Sequence, residues 1–272
     1  MCRLKRKLYN FNWLYDQIKE LDMSYKTTIK NIITRSYKLF MPKDNGLRVF
    51  MYHSVQDNPT NLNDIYTISS KLFTEQMMLL KTKYQTNISR FKNLEILERE
   101  VTLAITFDDG YSDNLHVATP ILQDLELPYT VFVTTDFIKN KKKGFLTSNE
   151  LKELASYSNV DIGSHTSSHP HLTTLNNKQI MEELSSSKKF LEDLLSKEIT
   201  MFAYPYGDYD QRVRDLVCEA GYKIARNSKF SANKIIEDRF LVSSSEIWNT
   251  DSIKVFQDKI DGYWDWLKLV QR

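Results

Sequence analysis

The chain has 272 residues, enough for one large α/β domain or two small ones. Its make-up is that of a globular protein, 41% hydrophobic and 26% charged, and a net charge of +2 gives no electrostatic case for nucleic acid. Two cysteines, Cys2 and Cys218, with no CxxC spacing, exclude a cysteine zinc cluster and argue against a disulfide framework.

The charge is unevenly spread. Residues 1–43 hold ten Lys/Arg and three acids, a net +7, which leaves −5 for the rest. Spacing of Leu4, Leu8, Phe11, Leu14 and Ile18 predicts one or two helices over residues 3–40. The basic start is not followed by an apolar core, so no secretory signal is expected. No run of about 18 apolar residues occurs, so no membrane span is expected either. These features predict a cytoplasmic protein. The basic helix, with Phe11, Trp13 and Leu14, suits peripheral contact with anionic lipid at the inner face of the membrane. The competing expectation is a helix packed on the main domain with a solvated basic face.

Pro42 and the "KDNG" that follows mark a boundary, dividing a helical extension (1–45) from a main domain (46–272). Within that domain "LRVFMYH" reads as a strand, and Phe73, Met77 and Leu80 as a helix opened by Thr67, Ser69 or Ser70. Strand "LAITF" follows, then a helix over 112–126 and strand "YTVFVTT" at 129–135. A helix over 148–157 is introduced by Thr147 or Ser148. Strand "VDIGSH" and a helix over about 176–196 come next. "TMFAYPYG", a helix over 209–220, "YKIAR" and "FLVSSSEIW" complete the series. Regular alternation of strand and helix predicts a parallel sheet, either open and doubly wound or closed as a barrel. In both, active residues stand at the C-terminal ends of strands. His53, Asp108, Asp109, His165 and Tyr206 all fall there.

In "LAITFDDGYSDN", residues 103–114, an apolar strand runs into adjacent carboxylates. Two like charges at the mouth of a core need a partner, or one shifts its pKa. In "DIGSHTSSHPHL", residues 161–172, His165 and His169 are four apart and can face one ion. Pro170 disfavours helix at His169 and predicts a shaped loop; His171 reads as a loop residue nearby. Two histidines and a carboxylate make a three-ligand site with positions left for water and substrate. The other carboxylate is then free to act as a base. In "FAYPYGDYD", residues 202–210, Pro205 and Gly207 fix a turn that can aim a backbone N–H at an oxyanion.

Taken in order, "TFDDG", "HTSSH" and "YPYG" resemble the polysaccharide deacetylases of carbohydrate esterase family 4, the NodB homology domain, over about residues 46–250. The resemblance implies a distorted (β/α) barrel and removal of acetyl groups from sugar polymers with one divalent metal. Zinc is the first expectation, with Co2+, Ni2+ or Fe2+ as alternatives. It implies Asp108 as general base and Asp109, His165 and His169 as metal ligands. The Tyr206 N–H would help hold the oxyanion, with Tyr204 and Tyr206 at the substrate. Two departures stand out. Many members carry an Arg where this chain has Ala203, and Arg239 is the suggested replacement. No histidine follows His171 to serve as general acid. "VFMYHSV", residues 49–55, however, resembles the subgroup acting on poly-N-acetylglucosamine, in which the acid histidine comes first; His53 fits that place.

The function expected is therefore removal of N-acetyl groups from an amino-sugar glycan or its lipid-linked precursor, in the making of a surface polysaccharide. Two alternatives remain: a hydrolase of the same fold acting on a small amide, and a glycan-binding relative without activity.

Overall fold

The computed structural model describes residues 23–61, 64–94 and 100–270. Seven parallel strands form its main sheet: β1 (Gly46–Tyr52), β4 (Val101–Phe107), β5 (Tyr129–Val133), β6 (Val160–Ser164), β7 (Met201–Ala203), β8 (Ile224–Arg226) and β9 (Ser244–Glu246). Two short strands, β2 (Ser54–Gln56) and β3 (Thr67–Ser69), pair separately. The order is β8-β7-β6-β5-β4-β1-β9. The two ends almost meet. Val242 accepts from the Asn227 amide (2.9 Å) and donates to Ala225 (3.1 Å), two residues before β9 begins. The sheet is thus a distorted, nearly closed barrel.

Strands β1, β4 and β5 are buried on both faces because one face lines the barrel and the other is covered. Tyr52, Phe73, Phe107 and Tyr129 interlock in the main core by edge and tilted ring contacts. The crossovers are helices with clear start signals. Helix α2 (Ser70–Tyr84) is capped by Ser69, whose hydroxyl accepts from the Leu72 amide. Helices α5 (Ser148–Leu154) and α6 (Asn177–Leu195) carry reciprocal capping boxes, Thr147 with Glu150 and Asn176 with Gln179. Asp210 caps α7 (Gln211–Glu219).

Several boundaries differ from the sequence reading. The helix expected over 112–126 begins as a π turn (Asn114–Ala118) before α3 (Thr119–Asp124). The strand expected over 129–135 stops at Val133, because Thr135 already begins α4 (Thr135–Lys139). "TMFAYPYG" is strand only through Ala203. Helix α8 (Ile253–Ile260) was not anticipated.

Helix α1 (Met23–Phe40) is the described part of the basic extension. Leu4, Leu8, Phe11, Trp13, Leu14 and Ile18 lie outside the described residues. Ile33 and Tyr37 pack against a second cluster of Phe230, Trp248, Trp264 and Trp266. Within this region buried charges are paired, Arg48 with Asp265 (2.9 Å) and Lys259 with Asp251.

Candidate active site

Strands β1 and β4 pair so that Tyr52 lies opposite Phe107. That register brings the next residues, His53 and Asp108, to the same edge, and the Asp108 amide donates to the Tyr52 carbonyl (2.9 Å). With His165 after β6 and the turn after β7, these ends surround a cavity of about 220 Å3. Its walls include His53, Asp108, Asp109, His165, His169, Tyr204 and Tyr206.

Asp109, His165 and His169 converge, each offering one ligand atom, all within 4.8 Å of one another. Asp109 Oδ1 lies 3.4 Å from His169 Nε2 and 3.7 Å from His165 Nε2. The two Nε2 atoms are 3.2 Å apart. The His165 Nδ1–H donates to the Ala203 carbonyl (2.8 Å), which leaves Nε2 as a lone-pair donor toward the cavity. Burial, with the His165 ring beside it, pushes the His169 pKa down to about 4, so this imidazole is neutral at ordinary pH. Asp109 Oδ1 is buried without a hydrogen-bond partner among the described residues. Two imidazole Nε2 atoms and an orphaned carboxylate oxygen facing one point are the donor set a divalent cation takes, so the residues fit the expected metal.

The loops that form this site are conformationally costly. Asp109, Thr166, His169 and Tyr206 all have left-handed φ, at 69°, 68°, 64° and 59°. Such backbone persists only where surroundings impose it, and it gathers at functional sites. Here the surroundings are visible. Glu183 on α6 accepts from the amides of Ser167 (2.9 Å) and Ser168 (2.8 Å) and from the Ser168 hydroxyl (2.6 Å). The Thr166 hydroxyl accepts from the His169 amide (3.0 Å). His169 is in a loop, as Pro170 predicted.

Asp108 is 3% exposed. Burial pushes its carboxyl up, but the Arg226 guanidinium, with help from His165 and His53, outweighs this and holds it below the usual range. Arg226 ends β8 and donates to Asp108 Oδ1. The suggested replacement for the missing Arg, Arg239, is therefore corrected. It is exposed and turns to the Lys223 carbonyl (3.5 Å), far in its contacts from Asp108. The guanidinium beside the carboxylate comes from Arg226.

His53 is half-buried at the cavity wall with its ring 4.7 Å from that of Tyr66, and its Nδ1 has no hydrogen-bond partner among the described residues. Its backbone is tied to the Asp108 loop: Asn114 Nδ2 donates to the His53 carbonyl (2.7 Å). Asp113 accepts from the Ser54 hydroxyl (2.5 Å) and Val55 amide (3.2 Å). Tyr206 is 58% exposed and stacks on His171 (3.9 Å, 13°). Its turn requires Gly207, at φ +67°, because a Cβ there would lie 1.9 Å from Ser228 Oγ. Tyr204 reaches the cavity wall but is 1% exposed, with its ring against Phe202 and Tyr209. His171 is outside the ligand group and faces Asp208 (3.5 Å). Sequence reading missed Arg226, Glu183, Asp113 and Asn114, and also Tyr66 and Glu246 in the cavity wall.

A nearly closed parallel barrel thus carries a carboxylate–histidine cluster at the ends of its strands. A family model described as polysaccharide deacetylase matches residues 98–225, the stretch that runs from just before β4 into β8 and carries Asp108, Asp109, His165 and His169. YxkH of Bacillus subtilis, a protein named for the polysaccharide deacetylases, is 29% identical over 186 residues, 67% of this chain and 64% of that protein. The chain spans less still, about a quarter, of the fungal chitin deacetylases it matches. The poly-β-1,6-N-acetyl-D-glucosamine N-deacetylase of Staphylococcus aureus is 24% identical over 221 residues, 72% of this chain and 76% of that one. In fold the chain is similar to the deacetylase PplD of Streptococcus pyogenes, with a TM-score of 0.71 at 21% identity over 81% of this chain and 99% of that one.

Proposed function

We propose that the protein is a metal-dependent hydrolase that removes N-acetyl groups from an amino-sugar glycan. The observation that carries this reading is the convergence of Asp109, His165 and His169 on one point, with the paired carboxylate of Asp108 beside them. A divalent ion held by Asp109, His165 and His169 would supply Lewis acidity, lowering the pKa of water and polarising the acetyl carbonyl.

The chain's own groups divide the remaining work. Asp108, kept anionic by Arg226, takes the proton of the attacking water. The Tyr206 N–H, set by its left-handed turn, donates to the developing oxyanion. His53 gives a proton to the departing nitrogen, and acetate and a free amine are left. The exposed rings of Tyr66 and Tyr206 at the cavity rim suit the faces of sugar residues, which favours a polymer over a small amide. Tyr204 supports that rim from below. A glycan-binding protein without turnover would not need a base beside the ligands, so the intact Asp108 weighs against that alternative. Zinc is the proposed ion, and a lipid-linked precursor of a surface polysaccharide the proposed setting.

The test is acetate release from chito-oligosaccharides and poly-β-1,6-N-acetylglucosamine fragments, before chelation, after it, and after zinc is restored. Release that chelation stops and zinc returns supports the reading. Tight zinc binding with no acetate from either substrate would overturn the glycan assignment.

A further inference from the structure

Helix α1 has two apolar sides, and the fold uses one. Ile33 and Tyr37 face the tryptophan cluster, and the Thr34 hydroxyl accepts from Trp266 Nε1 (2.9 Å). On the other side Tyr25, Ile32 and Leu39 are 65%, 55% and 80% exposed. They stand seven residues apart, so each step drifts only about 20° around the helix and the three form one stripe. Phe40 and Met41 extend it at the helix end, also exposed. Scattered exposed apolar residues are ordinary; a continuous row of them along one helix marks a contact surface.

Charge says what the row faces. Residues 23–43 contain Lys26, Lys30, Arg35, Lys38 and Lys43 and no Asp or Glu; Lys38 and Lys43 are paired with Asp258 (2.6 Å) and Asp261 (3.2 Å), so the charge that matters is that of Arg35 beside the stripe. Arg35 is exposed, three positions from Ile32. A second copy of the chain would bring cations against cations. A layer of anionic headgroups over hydrocarbon complements both the charge and the stripe. We propose that the Tyr25–Ile32–Leu39 side of α1 seats the protein on a lipid surface carrying anionic headgroups.

The placement also links this surface to the cavity. Lys30 Nζ lies 4.0 Å from the Trp248 ring centre, and Ile65 packs in the same cluster. Tyr66, next to Ile65, and Glu246, two residues before Trp248, line the cavity. The side of α1 opposite the stripe thus abuts the elements that line the cavity. The inference does not rest on the deacetylase reading, since binding is measured without substrate.

The full chain is sedimented with vesicles of phosphatidylcholine alone and of phosphatidylcholine with phosphatidylglycerol. Retention by the anionic vesicles that falls with added salt is expected. Arg35→Gln is expected to lower the partition coefficient about fivefold, the effect of one cation near an anionic surface. The double variant Ile32→Glu, Leu39→Glu is expected to lose more than about tenfold, with circular dichroism unchanged. Absence of retention by anionic vesicles overturns the proposal. So does retention that both variants keep, which would place binding elsewhere. A dimer in light scattering that Ile32→Glu dissolves, without vesicle binding, would make the stripe an interface between copies and overturn it too.

Discussion

The guanidinium of Arg226, at the end of β8, is hydrogen bonded to the carboxylate of Asp108, at the end of β4, four places away in the sheet. The two meet because the barrel curls, and both are almost wholly buried. Arg226 also donates to the Ser244 hydroxyl (3.2 Å), so the pair is tied to β9 as well. A carboxyl this deeply buried would otherwise hold its proton; the guanidinium keeps it ionised.

The first prediction follows from that pair. Asp108 has a depressed pKa, so its contribution to stability is present above the ordinary carboxyl value and is lost as pH falls through the depressed one. Without Arg226, burial is opposed only by the smaller effects of His165 and His53, and the pKa rises. Arg226→Ala is therefore expected to move the acid limb of the kcat/KM profile to higher pH and to cost about 3–5 kcal/mol of stability, the penalty for an unpaired buried charge. Arg226→Lys should fall between the two. An acid limb that stays in place in both variants would show that Arg226 does not govern the base.

His53→Ala should lower turnover of an N-acetyl sugar about 10²–10⁴-fold, the usual worth of a general acid, with zinc still bound. An activated aryl acetate, whose leaving group needs no proton, should be cleaved by the variant nearly as well as by the parent. Equal losses on both substrates would assign His53 to positioning and not to proton delivery.

Glu183 holds the "HTSSH" loop from α6 by three hydrogen bonds. Partners of this kind, behind the ligands, are worth about 10–100-fold in metal affinity. Glu183→Ala should weaken zinc binding by that order in a calorimetric titration, while Glu183→Gln recovers part of it. Unchanged affinity in Glu183→Ala would mean the loop is shaped by its own sequence.

Gly207→Ala puts a Cβ where Ser228 already stands and at a φ that side chains resist. The turn carrying Tyr206 must shift, so kcat should fall with little change in zinc affinity. The double variant with Ser228→Gly removes the Oγ and Cβ contacts but leaves the backbone N of residue 228 at 2.7 Å and the φ unchanged, and should recover only part of kcat. Full activity in Gly207→Ala would remove the Tyr206 amide from the mechanism.

The sequence made the local parts legible. "TFDDG" and "HTSSH" carry the proposed metal-binding residues within a few positions, and alternation of strand and helix placed both at strand ends. Pro170 announced a loop at His169. What stayed hidden depends on closure. Arg226 reads as the last residue of an ordinary strand, and its partner is 118 positions away. Glu183 reads as one more acid on an amphipathic helix, and Asp113 and Asn114 as turn residues. Their roles exist only once β1, β4 and α6 are brought together. Helix α8 was missed because its buried Lys259 and Asp258 break the apolar pattern, and they are tolerated there by pairing with Asp251 and Lys38.

The most direct measurement compares acetate release by the zinc-loaded protein and its Asp108→Asn variant on the same N-acetylglucosamine oligomers, with zinc content determined in both. The account predicts release by the parent, none measurable from the variant, and equal zinc in the two. Substantial release by a zinc-loaded Asp108→Asn protein would contradict the assignment of the base and, with it, the chemistry built around the Asp108–Arg226 pair.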